Sequence, residues 1–164
     1  MKYITLSLSI LLISCFGKKP EITGQEGKPL PSFNILLSDS VTNLDTKDIP
    51  GNKPVALLLF GPHCPYSKAQ VEEIVSNINT LKNIQFYLFT ERPFAQMIEF
   101  YQAHHLNNYS NIKVGVDAKD FFGRYMGARG VPYMAIYDRN KLLIKAFTGK
   151  LEASQIKEVA ESAE

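Results

Sequence analysis

The sequence has little of what marks several protein classes. Its formal net charge is only +2, and no run rich in Lys and Arg occurs, which argues against a nucleic-acid partner. No apolar run approaches the roughly 20 residues that span a bilayer, and no repeat or low-complexity tract is visible. Cysteine is scarce, with two among 164 residues. The remaining composition, 45% hydrophobic and 21% charged, is typical of one soluble globular domain.

The amino terminus carries a short apolar segment that ends in a cysteine. Lys2 precedes the run 4–13, whose length fits a signal-peptide core. Leu12-Ile13-Ser14-Cys15 resembles the lipobox of bacterial lipoproteins. The resemblance implies removal of residues 1–14 and a diacylglyceryl thioether on Cys15, whose acyl chains would hold the protein on a membrane. An ordinary secretory signal with an incidental cysteine is the alternative.

The fate of Cys15 decides how the second cysteine is interpreted. Two cysteines in an exported protein would ordinarily suggest a disulfide, but lipidation of Cys15 would leave Cys64 as a lone thiol. Residues 15–30 are rich in Gly, Pro and Lys, which predicts a tether or linker. It would join the membrane to a domain spanning residues 31–164.

The rest of the chain alternates strand and helix patterns. The run 54–60 is continuously apolar, as is typical of a strand buried on both faces of a sheet. Pro65 suits the first position of a helix, and apolar residues continue at helical spacing to Leu81. Further strands are predicted at 33–37, 84–90, 112–116, 133–138 and 142–147, and helices at 94–101, 120–125 and 151–163. This order predicts an α/β sandwich around a central sheet.

Two short motifs carry a resemblance to the thioredoxin superfamily. Cys64-Pro65-Tyr66-Ser67 has the spacing of a Cys-x-x-Cys motif and opens a helix directly after a buried strand. Gly130-Val131-Pro132-Tyr133 matches the superfamily's active-site proline segment, which implies a cis Val131–Pro132 bond facing Cys64. The chain is most similar to membrane-anchored thioredoxin-like and peroxiredoxin-like bacterial lipoproteins. The resemblance covers about residues 30–164 and implies a three-layer sandwich with a central mixed sheet flanked by helices.

The sequence lacks a functional residue of thioredoxins, of peroxiredoxins and of monothiol glutaredoxins. Ser67 stands in place of the resolving cysteine, and Leu58 where thioredoxins keep a buried acid. Gly61 replaces the Thr that peroxiredoxins place three residues before their reactive cysteine. The paired glycines of the glutathione site in monothiol glutaredoxins are not found after Pro132.

Cys64 is the candidate nucleophile. A helix N-terminus favours a thiolate through its unpaired N–H groups and its dipole. His63 could add positive charge when protonated, and Ser67, one turn along, could hydrogen-bond the sulfur. The Ser67 hydroxyl is too weak an acid to resolve a mixed disulfide, so turnover would need an external reducing thiol.

A groove for an extended substrate is expected around Cys64. The resemblance implies that its walls come from both motifs, with the two tyrosines at the rim: Pro65, Tyr66, Val131, Pro132 and Tyr133.

We therefore expect a bacterial envelope protein, lipid-anchored and facing the periplasm or the exterior, that forms mixed disulfides with protein or low-molecular-weight thiols. A non-catalytic thioredoxin-fold binding module and a one-Cys thiol peroxidase are the alternatives. No cofactor is expected. Cys64 with His63 offers too few ligands for a structural metal, which usually has four.

Overall fold

The computed structural model describes residues 17–163, which form one mixed α/β unit. Seven strands lie in this part of the chain: β1 (Asn34–Leu37), β2 (Asn43–Asp45), β3 (Val55–Leu59), β4 (Gln85–Thr90), β5 (Ile112–Val116), β6 (Tyr133–Tyr137) and β7 (Leu143–Thr148). The α-helices are α1 (Pro65–Ser76), α2 (Phe94–Ala103), α3 (Phe121–Met126) and α4 (Ala153–Glu161).

The strands form a single sheet in the order β2-β1-β5-β4-β3-β6-β7. β3 pairs in parallel with β4, and β4 with β5, while the outer pairs are antiparallel. All five residues of β3 are buried, because strands pair on both of its edges and side chains cover both of its faces. The continuous apolar run predicted this position, and the central mixed sheet is confirmed.

Helices cover the two faces of the sheet and make it the middle of three layers. On one face α1, α2 and α4 enclose a core that includes Leu58, Ile74 and Met97. On the other face α3 and the loop before β1 enclose a second core around Phe33, where Phe122 stacks at 5.7 Å between ring centroids. The three-layer, thioredoxin-like α/β fold expected from the sequence is confirmed.

Helix α1 is shorter than its apolar spacing predicts. It ends at Ser76, and residues up to Leu81 continue in turns although Leu81 still packs in the core. The Glu73 carbonyl accepts the Asn77 N–H at 3.3 Å and the Asn77 side-chain amide at 2.9 Å, so Asn77 closes the last turn with two hydrogen bonds. Helical spacing therefore indicated burial correctly and helix length wrongly.

The segment before β1 is not an unattached tether in its described part. Glu21 N–H donates to the Ala146 carbonyl at 2.8 Å, and Gly27 N–H donates to the Leu143 carbonyl at 2.8 Å. Leu30 N–H donates to the Lys141 carbonyl at 2.8 Å. Residues 21–30 of the predicted linker therefore lie along the outer edge of β7.

No helix within residues 17–163 is long and apolar enough to cross a bilayer. The predicted signal peptide 1–14 and the predicted lipid-bearing Cys15 lie outside the described residues.

Candidate functional site

Cys64 lies at the boundary between a tight turn and helix α1. Its N–H donates to the Gly61 carbonyl at 2.9 Å, which closes the turn after β3. Its backbone is extended, with φ −79° and ψ 121°, and its side chain makes no capping hydrogen bond. Pro65 takes the first helical position, where its missing N–H costs no hydrogen bond. The half-buried sulfur therefore sits at a helix N-terminus that no side chain of the described residues caps.

The loop before β6 forms the opposite wall of the site. The Val131–Pro132 peptide bond is cis, as the resemblance implied. The Cys64 thiol donates to the Val131 carbonyl over 3.5 Å between Sγ and O. The Pro132 carbonyl in turn accepts from Gly149 N–H at 2.6 Å, so β7 braces the loop. The two motifs, 67 residues apart, are thus brought together at one end of the sheet.

Ser67 does not hydrogen-bond the sulfur, so that part of the expectation is wrong. Its side chain is fully buried, and its Oγ accepts the Gly61 N–H at 3.1 Å. The hydroxyl thus joins α1 to the turn that precedes Cys64. A position occupied by sulfur in dithiol sites is here a structural hydrogen-bond acceptor.

The expected groove residues divide into exposed and buried ones. Tyr66 is 68% exposed beside Cys64, and Pro65 is also exposed, so both are available to a substrate. Pro132 is buried behind the Val131 carbonyl. Tyr133 has no exposed surface and packs against Phe122, so the expectation that it forms the rim is wrong.

The Tyr133 hydroxyl is itself unusual. It has no hydrogen-bond partner among residues 17–163. Burial raises the pKa of Tyr133 above its usual value, and the nearby carboxylates of Glu21 and Glu26 add to the effect. The phenol is therefore a neutral group within the core.

His63 lies on the α2 side of the site. Its ring is exposed and has no hydrogen-bond partner within the described residues. It borders a cavity of about 270 Å³ that Lys68, Glu99 and His104 also line. Burial lowers the pKa of His104, while the Glu72 carboxylate acts in the opposite direction. The structure places His63 beside Cys64 without a contact that would couple the two side chains.

A larger, charged cavity adjoins the α3 side of Val131 and was missed by the sequence analysis. It measures about 510 Å³. Its charged lining residues come from two separate stretches, 91–92 and 120–129: Glu91, Arg92, Asp120, Arg124 and Arg129. Arg92 pairs with Glu91 at 3.1 Å, and Arg124 donates to the carbonyls of Asp120 and Lys119. Because these residues lie far apart in the sequence, no local motif predicts the cavity.

The positions that distinguish related subfamilies are filled for packing. Leu58 is completely buried and pairs with Met134 across the β3–β6 ladder, so an apolar side chain occupies the position of the buried acid. A Cβ on Gly61 would lie 3.0 Å from Val131 Cγ2 and 3.2 Å from Cys64 Cβ. A side chain at Gly61 would crowd the contact between the two motifs. No cluster of three or more His, Cys, Asp or Glu side chains suited to a metal occurs in residues 17–163.

Solved structures share this fold. The MTB protein DsbF is 14% identical with a TM-score of 0.68, and the match covers 80% of this chain and 95% of that one. A secreted Mycobacterium tuberculosis disulfide oxidoreductase, homologous to E. coli DsbE, is 16% identical with a TM-score of 0.64, over 79% and 95% of the two chains. The thioredoxin domain of a Bacteroides vulgatus thiol-disulfide oxidoreductase is 14% identical with a TM-score of 0.66, over 84% and 96%.

Sequence comparison adds no closer relative. No family model and no curated protein matches the chain. Identities of this size establish a shared fold only, but the fold is common to several thiol-disulfide oxidoreductases, and Cys64 lies at the start of a helix and beside a cis-proline loop. The chain thus has a thioredoxin-like fold of the kind found in thiol-disulfide oxidoreductases.

Proposed function

We propose that the protein is a lipid-anchored envelope oxidoreductase that uses Cys64 alone to form mixed disulfides by exchange with the disulfides of protein or low-molecular-weight thiols. The observation that carries the proposal is the position of the sulfur. It is half-buried, lies at an uncapped helix N-terminus, and is 3.5 Å from the Val131 carbonyl beside a cis proline. That arrangement leaves one side of the sulfur open to a substrate.

The reaction is a thiol-disulfide exchange. The Cys64 thiolate attacks one sulfur of a partner disulfide, so that a bond forms between Cys64 and the partner while the partner's own S–S bond breaks. The partner's second sulfur leaves as a thiolate. An external thiol then attacks the mixed disulfide, releases Cys64 as a thiolate, and itself becomes disulfide-bonded to the partner. Ser67 takes no part, because its buried hydroxyl is already an acceptor for Gly61 N–H.

Peroxide reduction is the less favoured chemistry for this site. A Thr at position 61 would supply the hydroxyl that peroxiredoxins use, but a β-carbon there meets Val131 at 3.0 Å. The absence of a side chain at Gly61 thus leaves room for the side chains of Val131 and Cys64. Thiol-dependent consumption of hydrogen peroxide should be slow, and rapid consumption lost in Cys64→Ala would contradict the proposal.

Trapping from envelope extracts tests the proposal directly. Wild-type protein should accumulate partners linked through Cys64, and a small added thiol should release them, since no second thiol of the domain resolves the adduct. The matched control is Cys64→Ala, which should capture none. If wild type captures no disulfide-linked partner and the same non-covalent partners co-purify with both proteins, the fold serves as a binding module and the oxidoreductase proposal fails.

A further inference from the structure

Residues 21–30, which we call the docked segment, determine at which end of the sheet the described chain begins. Glu21 bridges Ala146, and Pro29 bridges Leu142, so the segment runs antiparallel to β7. Because β7 ends at Thr148, beside the start of β6, the early part of the segment lies at the Cys64 end of the sheet. Its later part lies at the opposite end.

Contacts of Lys18 place the start of the described chain close to the site. The Lys18 N–H donates to Gln155 Oε1 at 2.8 Å, and its carbonyl accepts from Gln155 Nε2 at 2.6 Å. A β-carbon on Gly149 would collide with Lys18 Nζ, so these two residues touch. Gly149 in turn donates its N–H to the Pro132 carbonyl. Lys18 is therefore two residue contacts away from the proline loop that faces Cys64.

Chain length then limits the distance between the anchor and the site. Three residue steps separate Cys15 from Lys18, and an extended chain spans at most about 11 Å over that distance. A free tether from residue 15 to residue 30 would span up to about 50 Å. The two ends of the five-residue strand β3 are roughly 15–20 Å apart, so an anchor beside one end holds the other end away from the bilayer.

We infer that the docked segment holds the Cys64 end of the domain against the lipid surface. The Cys64 thiol would then exchange with disulfides of molecules that lie at the bilayer. This inference rests on the lipid anchor at Cys15 in the proposed function. Two further features fit a lipid surface. Lys18 and Lys19 are exposed and suit anionic headgroups. Tyr66, 68% exposed beside Cys64, has the amphipathic ring that favours the interface.

Quenching by lipids that carry a spin label on the headgroup measures the orientation. Full-length lipidated protein with Cys64→Ala receives one labelling site, either Tyr66→Cys at the active-site end or Lys53→Cys at the other end. Both positions are exposed. In vesicles of mixed neutral and anionic lipid, a fluorophore at residue 66 should be quenched several-fold more than one at residue 53. Equal quenching, or stronger quenching at residue 53, overturns the inference.

Lengthening the chain before Lys18 tests the cause. A 12-residue Gly/Ser insert between Gly17 and Lys18 adds a flexible span of roughly 20 Å and should abolish the difference between the two labels. The same insert between Ser40 and Val41, in the exposed β1–β2 turn, should preserve it. A difference that survives the insert before Lys18 would show that the docked segment does not set the orientation, and the inference would fail.

The outcome is separable from that of the proposed chemistry, because the labelled proteins lack Cys64. Stronger quenching at residue 66 without trapped partners would contradict the redox proposal and support the orientation. Trapped partners with equal quenching at the two positions would support the redox proposal and contradict the orientation. A protein that carries no lipid and does not float with vesicles would overturn the orientation together with the predicted anchor, while Cys64 chemistry could still be measured in solution.

Discussion

Two helix N-termini in this fold are treated in opposite ways. At α4, the Ala153 N–H donates to Glu73 Oε1 at 3.0 Å, and the Leu151 N–H just before it donates to Gln70 Oε1 at 2.6 Å. At α1, no side chain caps the helix and no acidic residue lies in the first turn. A carboxylate at a helix N-terminus stabilises the helix, whereas an empty N-terminus can favour a thiolate. The N-terminus of α4 is therefore stabilised by a carboxylate, whereas that of α1 is left open at Cys64.

A second sulfur in the first turn of α1 should produce the largest change, because it would give the open helix end a resolving thiol. Ser67→Cys should make the protein a catalyst of protein-disulfide reduction, because residues three apart on a helix lie close enough for a disulfide bond. Wild type should show no catalytic turnover in an insulin-type reduction assay with a limiting thiol. Ser67→Ala is the matched control, since it also loses the hydrogen bond from Gly61. If Ser67→Cys reduces protein disulfides no faster than wild type, residues 64 and 67 do not lie close enough to form a disulfide.

Removing the Glu73 carboxylate from the N-terminus of α4 should produce the largest loss of stability. Glu73→Ala removes the acceptor for Ala153 N–H and the 3.0 Å ion pair with Lys150. We expect the free energy of unfolding to fall by about 2 kcal/mol in urea titration, because a partly buried donor is left without a partner. Glu72→Ala, at the neighbouring exposed position, should change it by less than about 0.5 kcal/mol. Similar losses in both variants would refute a specific role for Glu73.

The same carboxylate should make part of the stability depend on pH. The Ala153 N–H, followed by Lys150, lowers the pKa of Glu73 below its ordinary value of 4.5. A lowered folded-state pKa contributes stability that is complete above that value and is lost as the pH falls through the folded-state pKa. The stability advantage of wild type over Glu73→Gln should therefore be constant near neutral pH and shrink below about pH 4.5. Unfolding curves from pH 7 to 3 would show it, and an advantage unchanged at pH 3 would contradict the assignment.

The smallest expected effect comes from filling the N-terminus of α1. The Cys64 backbone already has the extended conformation of a capping residue. Cys64→Ser should accept the N–H of Ser67 and exceed Cys64→Ala in stability by about 1 kcal/mol, since serine is a good cap and alanine is not. Both variants should lose mixed-disulfide formation. Thermal unfolding of the pair measures the difference, and an equal stability would show that this helix end does not need a cap.

Local patterns in the sequence predicted most of the fold and the position of the sulfur. A short apolar run without polar alternation, such as that of β3, is typical of a strand covered on both faces, and Pro65 can begin a helix without losing a hydrogen bond. These signals are local, because they arise from the residues themselves. A central sheet, its flanking helices and the placement of Cys64 at a helix start followed from them, whereas the mixed strand directions were implied by the resemblance to the thioredoxin superfamily.

The errors concern contacts between residues that are distant in the chain. The burial of Tyr133 depends on α3 packing over β6, and the hydroxyl of Ser67 is directed to Gly61 by the turn between them. Neither arrangement has a periodicity that a sequence can show. An alternative partner for Ser67, the sulfur itself, was equally consistent with the spacing.

By itself, the sequence determined that Cys64 follows a buried strand and precedes a helix, because apolar runs and proline act locally, and that residues 31–164 hold no other cysteine. Only the tertiary structure decided that Ser67 is sealed in the interior, that Glu73 caps α4, and that residues 21–30 lie along β7. Such edge pairing uses backbone N–H and carbonyl groups, which every residue except proline carries in full. A segment rich in Gly, Pro and Lys can therefore read as a free linker and still dock on a sheet edge.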